Sequence, residues 1–223
     1  MPIINADCID GMKALNDESF DLLLTDPPYN VSMRSNFGTM GRKGVDFGEW
    51  DKGFDQRAWL EIACAKVRKG GSAIIWNAYK NIGIMSEVLE ANGFTVKELL
   101  IWRKTNPMPR NRDRLYVTSI EVALWAVKGK GWTFNRQRET YENAIYEYPV
   151  VNHRKRIHPT QKPIELFSDL IKRHSNEGDY VLDPFSGSGT TAVACAELNR
   201  NFIGYELDVD FYEKSTQRLE EVI

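Results

Sequence analysis

No stretch of the 223 residues stays apolar for the roughly 18 positions a membrane-spanning helix needs, and the amino-terminus lacks the basic-then-apolar pattern of a secretory signal. A spanning or exported protein is thereby disfavoured, and a soluble, cytoplasmic one with no membrane partner is expected. Cysteine is scarce: Cys8, Cys64 and Cys195 are odd in number and form no Cys-x-x-Cys pair, so neither a disulfide framework nor a zinc site is suggested. They read as small core residues, and no metal is expected. An excess of one charge is also missing, the formal net charge being −2. The balance hides an uneven distribution. From Arg103 to Arg156 there are 12 Lys and Arg against 5 Asp and Glu, a surplus of seven, which leaves nine net negative charges on the remainder. A basic middle in an acidic body is the footprint of a localised phosphate-binding face, although a merely solvated charged face has the same composition.

With 42% of residues apolar and 27% charged, the chain suits one domain, residues 1–223, with a sizeable core. Its organising stretch is Asp21 to Asn30, DLLLTDPPYN. Leu22, Leu23 and Leu24 fit a buried parallel strand that stops at Asp26-Pro27-Pro28-Tyr29. Pro27 biases Asp26 out of the helical region, and neither proline donates an N–H, so the corner is rigid and rich in acceptors. Those acceptors suit one reaction. An exocyclic amino group on a nucleobase is a poor nucleophile because its lone pair is delocalised into the ring. Hydrogen bonds from its two N–H protons to the Asp26 carboxylate and the Pro27 carbonyl would draw the nitrogen towards tetrahedral geometry and free that lone pair. Tyr29 could stack on the base, and no histidine base is required.

Along the rest of the chain, strand and helix signals alternate. Pro2 to Ala6 reads as a strand and Gly11 to Leu15 as a helical turn. Ser32 to Trp50 is rich in Gly, Ser and Asn, so the segment 32–50 is expected to form a mobile loop near the catalytic corner. Phe54 to Val67 has helical spacing and is expected to end at Gly70-Gly71, before a strand from Ser72 to Asn77. A helix over Ile82 to Ala91 closes at Asn92-Gly93. Phe94 to Arg103 and Ser119 to Lys128 are β-branched segments expected to pair as a hairpin, placing an antiparallel last strand in an otherwise parallel sheet. Gly129 to Ile157 breaks the rhythm by interleaving Trp132, Phe134, Tyr141, Tyr146 and Tyr148 with Arg136, Arg138, Arg154, Lys155 and Arg156. The segment 129–157 is therefore the candidate target-recognition insertion, against the alternative of a β-rich insertion packing its own aromatics. Helices are expected over Pro163 to His174, Thr190 to Leu198 and Val209 to Leu219, with strands over Asp179 to Asp183 and Phe202 to Glu206. A doubly wound α/β sheet is the economical solution.

Gly187-x-Gly189-x-x-Ala192 follows a strand and opens a helix, with Glu206 19 residues after Gly187, which matches a dinucleotide fingerprint. Against an NAD enzyme stand four carboxylates, Asp7, Asp26, Asp183 and Glu206, each at the expected C-terminal end of a strand. Such a cluster repels pyrophosphate and suits a ligand carrying a sulfonium and an ammonium.

Three motifs carry a family resemblance. Asp26-Pro27-Pro28-Tyr29 resembles the DPPY motif of DNA amino-methyltransferases, and Asp183-Pro184-Phe185-Ser186-Gly187-Ser188-Gly189-Thr190-Thr191 resembles their S-adenosylmethionine motif. His158-Pro159-Thr160-Gln161-Lys162-Pro163 resembles the motif that precedes the cofactor strand. Their order, with a basic segment between the first two, resembles the β group, and the similarity runs from Ile3 to Leu219. The resemblance implies a mostly parallel, seven-stranded, Rossmann-like methyltransferase sheet. It would be circularly permuted, as though a nucleotide-fold chain had been cut after its second strand and its halves exchanged.

It implies further that Glu206 binds the cofactor ribose and that Asp7, with the Cys8 backbone, reads the cofactor adenine. Phe185 would pack near the cofactor, with Asp183, the turn Gly187 to Thr190 and Thr160-Gln161-Lys162 around its methionine part. The isolated residues allow plainer readings: Asp183 as a helix cap, Lys162 as a solvent-exposed residue at a helix start. The implied activity is methylation of adenine N6 in DNA within a restriction-modification or orphan modification context. Cytosine N4 is the nearest rival, and an inactive DNA-binding relative is disfavoured by the intact Asp26 and Glu206. Cytosine C5 chemistry needs a cysteine nucleophile, usually after proline, whereas Cys8, Cys64 and Cys195 follow Asp7, Ala63 and Ala194. Because relatives carry larger recognition segments, this chain's own DNA surface is expected to be small, and a homodimer would enlarge it.

Overall fold

In the computed structural model, which describes residues 2–29 and 54–223, the leucine triplet forms the middle of β2 (Phe20–Thr25), and all three side chains are fully buried. They are buried on both faces because the strand alternates. Leu22 and Leu24 join Ile74 and Trp76 of β3 (Val67–Asn77) on one side, while Leu23 joins Ala73 and Ile75 on the other. Each such leucine contributes about 1.5–3 kcal/mol relative to exposure, so each face must be covered. The first face packs against α4 (Ile164–His174), α5 (Thr190–Glu197) and α6 (Val209–Glu220) through Leu166, Leu170, Val193 and Leu219. The second packs against α1 (Cys8–Lys13), α2 (Ala58–Lys66) and α3 (Ile82–Ala91) through Met12, Trp59, Leu60 and Leu89. The three cysteines are buried in these layers. Among the described residues no helix is long and apolar enough to cross a membrane.

The remaining strands are β1 (Ile3–Asn5), β4 (Phe94–Lys104), β5 (Ile120–Lys128), β6 (Ile145–Tyr148), β7 (Tyr180–Asp183) and β8 (Asn201–Glu206). They form one sheet in the order β1-β8-β7-β2-β3-β5-β4-β6. All neighbours are parallel except where β5 meets β3 and β4, so β5 alone runs against the rest.

Three expectations are corrected. Among the described residues the sheet has eight strands where seven were expected, because β6 arises inside the segment 129–157 and pairs with β4 at the edge. The antiparallel strand is not the last one: the hairpin forms, but β5 is inserted between β3 and β4. Gly70-Gly71 does not separate helix from strand, since β3 begins at Val67 and runs through both glycines. They form a bulge. The register against β2 jumps from Phe20 opposite Val67 to Leu22 opposite Ser72, Gly70 has φ +80°, and a Cβ on Gly71 would lie 2.6 Å from Val67 Cγ1. The expected loop at 32–50 lies outside the described residues.

β1, β8, β7 and β2 point the same way and are four consecutive strands of the sheet. Their C-terminal ends therefore deliver Asp7, Asp26, Asp183 and Glu206 to one edge of the sheet.

Candidate active site

β7 ends on Asp183, whose carboxylate organises the turn that follows. Its Oδ1 accepts from the Thr25 hydroxyl at 2.7 Å and from the Phe185 N–H at 3.1 Å, and its Oδ2 accepts from the Thr191 hydroxyl at 2.5 Å. The side chain thus ties the glycine turn to β2 and to the first turn of α5 and is not a helix cap. Burial pushes its pKa up to about 6, against the pull of those three donors. Gly187 and Gly189 take φ of +48° and +70°, which lets the turn fold tightly above α5. Glu206, at the end of β8, accepts from the Gly187 N–H at 2.8 Å and from the Asp208 N–H at 2.9 Å, one on each oxygen. Burial raises its pKa. Phe185 is held edge-on by Trp59 and Phe54, with ring centroids 5.0 and 5.4 Å away.

The second half of the site is the corner after β2. Three amides from elsewhere hold it: Gln56 Nε2 donates to the Pro28 carbonyl at 2.5 Å, Asn81 Nδ2 donates to the Tyr29 carbonyl at 3.0 Å, and Asn77, at the end of β3, donates to Gln56 at 3.1 Å and accepts from Asn81 at 2.7 Å. No described group donates to the Pro27 carbonyl. The Asp26 carboxylate accepts from the Tyr29 hydroxyl on Oδ1 and from Lys162 Nζ on Oδ2.

Lys162 is 4% exposed and bridges two acids: besides Asp26 it lies 3.1 Å from Glu121 Oε2, and Glu121 Oε1 in turn lies 2.7 Å from Lys104 Nζ. Two ammoniums and two carboxylates alternate in one row that is largely shielded from solvent, so the row is close to neutral. Burial and Glu121 raise the Asp26 pKa against the opposing pull of Lys162. Burial would raise Glu121 as well, but its two lysines outweigh that and hold it low. The Lys162 pKa is raised, because its two acids outweigh the cost of burial.

Both halves open into one cavity, lined by Asp26, Thr160, Gln161, Lys162, Asp183, Phe185, Ser186, Gly187, Ser188 and Thr190. His158 also lines it and packs on Phe211 with ring centroids 4.3 Å apart, and burial brings its pKa down to about 4, so the ring is neutral at ordinary pH. Glu206 joins through the Gly187 N–H. Asp7 and Cys8 stand apart from the cavity lining: the Asp7 carboxylate caps α1 by accepting from the Ile9 and Asp10 N–H groups at 2.8 and 3.3 Å. Lys162 proves to be buried against Asp26, not exposed at a helix start. Glu121, Lys104, Gln56, Asn77 and Asn81 were not singled out from sequence. The one available signal was Glu121, a lone acid inside the apolar run Ile120 to Val127.

The segment 129–157 divides its aromatic and cationic residues. Tyr146 is buried in the core, the Tyr148 hydroxyl donates to Asp169 at 2.5 Å, and Phe134 stacks on Trp125 at 5.5 Å. Arg173 of α4 anchors the segment through Glu142 at 2.9 Å, with both side chains at least nine-tenths buried. Arg136, Arg138, Arg154 and Lys155 remain exposed with Tyr141.

A mixed sheet covered on both faces, with Asp26, Asp183 and a glycine turn sharing one cavity at the C-terminal edge of the sheet, defines a Rossmann-like α/β protein with a candidate ligand cavity there. A family model described as DNA methylase (N6/N4 type) matches residues 20–217. Among curated proteins, the chain is 32% identical to Type II methyltransferase M2.MboI of Moraxella bovis, covering 99% of this chain and 88% of the relative. It is 31% identical to Type II methyltransferase M2.DpnII of Streptococcus pneumoniae, covering 99% and 90%. Among solved structures, the M1.HpyAVI–SAM complex superposes with a TM-score of 0.78 at 37% identity, covering 97% of this chain and 98% of the other. The chain belongs to this DNA methylase family.

Proposed function

We propose that the chain transfers the methyl group of S-adenosylmethionine to the N6 amino group of an adenine flipped out of DNA. The observation that carries this reading is that the Asp26 corner and the glycine turn after β7 face the same cavity. Its lining fits that cofactor better than a dinucleotide. Among the described residues the only lysine or arginine lining it is Lys162, already neutralised by Asp26 and Glu121, so no spare cation awaits a pyrophosphate. Each Glu206 oxygen accepts one backbone N–H and keeps lone pairs for a ribose diol. Asp183, Ser186, Ser188, Gly189, Thr190 and the segment Thr160-Gln161 would enclose the methionine part, Phe185 would pack beside it, and Asp7 with Cys8 would border its adenine. When bound, the cofactor supplies a methyl group activated by the sulfonium. The M1.HpyAVI–SAM complex supports this choice.

The chain's own residues prepare the nucleophile. Asp26 and the Pro27 carbonyl accept the two N–H protons of the target amine, concentrating its lone pair, and the Tyr29 ring stacks on the flipped base. Pro28 sets their spacing, clamped through its carbonyl by Gln56. The exposed cations of 129–157 would hold DNA phosphates, a second copy of the chain would widen that face, and the whole of 1–223 would act as one methyltransferase domain in the cytoplasm. The β1 strand beside β8 agrees with a circularly permuted β-group chain, and the Type II names of the relatives agree with a restriction-modification context.

The test is incubation with labelled S-adenosylmethionine and mixed-sequence DNA, followed by digestion to nucleosides and mass identification. N6-methyladenine is expected. N4-methylcytosine would move the target, and no methylated base with cofactor binding intact would overturn the reading. Asp26→Ala should slow the transfer step by about 2.7–4 kcal/mol while cofactor affinity stays near wild type.

A further inference from the structure

Both oxygens of the proposed catalytic carboxylate already accept a side-chain hydrogen bond, Oδ1 from Tyr29 and Oδ2 from Lys162. An arriving amino group would share an oxygen with a donor already there, and an oxygen that already neutralises an ammonium is a weakened acceptor for a neutral amine. Lys162 cannot simply let go, because an unpaired ammonium that is 4% exposed costs several kcal/mol. A second carboxylate stands ready. Glu121 is fixed from behind by Lys104, at 2.7 Å on Oε1, while its Oε2 is buried, lies 3.1 Å from Lys162 Nζ, and makes no directed hydrogen bond.

We infer that Glu121 is a positioning residue for methyl transfer: it is the alternative seat onto which Lys162 shifts when the target amine arrives, freeing Asp26 Oδ2 to accept an N–H. The inference rests on the reading of Asp26 as the acceptor of that amine. The shift is short, since the ammonium already sits between the two acids, and the row keeps its two positive and two negative charges throughout. Lys104 is also the last residue of β4, next to the exposed basic turn 105–119, so the row links that turn to the catalytic corner. The groups facing Asp26 are Tyr29, Lys162, Glu121 and, across the cavity, Asp183.

The experiment uses the full chain, labelled S-adenosylmethionine and a DNA substrate that the wild-type protein methylates, and it reads single-turnover rate, cofactor affinity and DNA affinity. Glu121→Gln keeps the shape and removes the charge. It is expected to lower the single-turnover rate about 10²-fold, the scale of a misplaced reacting group, with both affinities within about twofold. Glu121→Asp, which restores the carboxylate, is expected to recover part of the rate. In a Lys162→Met background, Glu121→Gln is expected to have no further effect, because Glu121 acts through the lysine. A residue that only supports the fold would slow the double variant as well and lower its melting temperature and affinities. Should Glu121→Gln fail to fold, the same cycle is run with Lys104→Gln, which loosens Glu121 from behind. An unchanged rate in these variants, or effects that add in the Lys162→Met background, would overturn the inference while leaving Asp26 in its role. Absence of methyl transfer by the wild-type protein to any DNA would instead overturn the proposed function.

Discussion

Replacing Asp183 by asparagine should change the pH dependence of stability in a direction opposite to the usual behaviour of a native carboxylate. Salt-bridged carboxylates normally have lowered pKa values and lose their stabilising contribution in acid. Among the described residues Asp183 is buried with no cation partner, and its pKa rises from 3.8 to about 6. The folded protein therefore holds the proton more tightly than the unfolded chain. Its stabilising contribution is complete below 3.8 and is lost as pH climbs through about 6. That interval corresponds to about 3 kcal/mol at 1.36 kcal/mol per pH unit. The asparagine side chain of the D183N variant cannot ionise and can still occupy the site: its carbonyl oxygen accepts from Thr25 and the Phe185 N–H, and its amide donates to a rotated Thr191 hydroxyl. Wild-type and D183N proteins should unfold alike in urea near about pH 4, and the variant should gain about 3 kcal/mol on the wild type by about pH 7.5. Equal m-values would show that the unfolding reaction is the same. A stability difference that stays constant over this range, or that favours the wild type more at high pH, would refute the argument that burial dominates this carboxyl.

Glu206→Gln should weaken S-adenosylmethionine binding, because an amide that donates on one side cannot both accept from the Gly187 N–H and Asp208 N–H and receive a diol; isothermal titration checks this. Arg173→Met should destabilise the fold, by at most about 3–5 kcal/mol, since it leaves the Glu142 carboxylate without its cation and held only by the Gln137 and Arg138 N–H groups; urea titration measures it, and Glu142→Gln in the same background should restore part of the loss. Replacing both Arg154 and Lys155 by Ala should flatten the plot of log K for DNA against log salt by about two, with cofactor affinity unchanged.

Much of the architecture is legible from short-range chemistry. Asn92-Gly93 stops α3 where expected, with Gly93 at φ +81°, and the strand-end acids stand out because each follows an apolar run. Failures come where meaning depends on a partner. Gly70-Gly71 looks like a helix stop until β2 is beside it, when the missing Cβ atoms become the condition for a bulge. The four residues of β6 carry little pattern of their own and become a strand only by pairing with Ile101 to Lys104. The site divides the same way. Asp26, Asp183 and Glu206 stand out locally, but Lys162 acquires its neighbour from 136 residues away, and nothing near it in the chain announces burial. The aromatics of 129–157 illustrate an ambiguity of composition: Tyr146 packs into the core and Phe134 stacks on Trp125 while staying partly exposed, whereas Tyr141, Arg136, Arg138 and Arg154 face solvent.

The place of β2 at the middle of the sheet has a consequence for synthesis. One of its flanks is β7, and the Thr25 to Asp183 bond spans 158 residues. A ribosome adding about 5–20 residues per second would leave the Leu22 to Leu24 edge without its neighbour for about 8–30 s. The nascent chain must carry an apolar strand paired on one edge only through most of its own translation, and the cavity can close only after β7 and β8 arrive. Activity is thereby withheld until nearly the whole chain exists, and shielding of that edge during translation becomes a determinant of how much active protein a cell obtains.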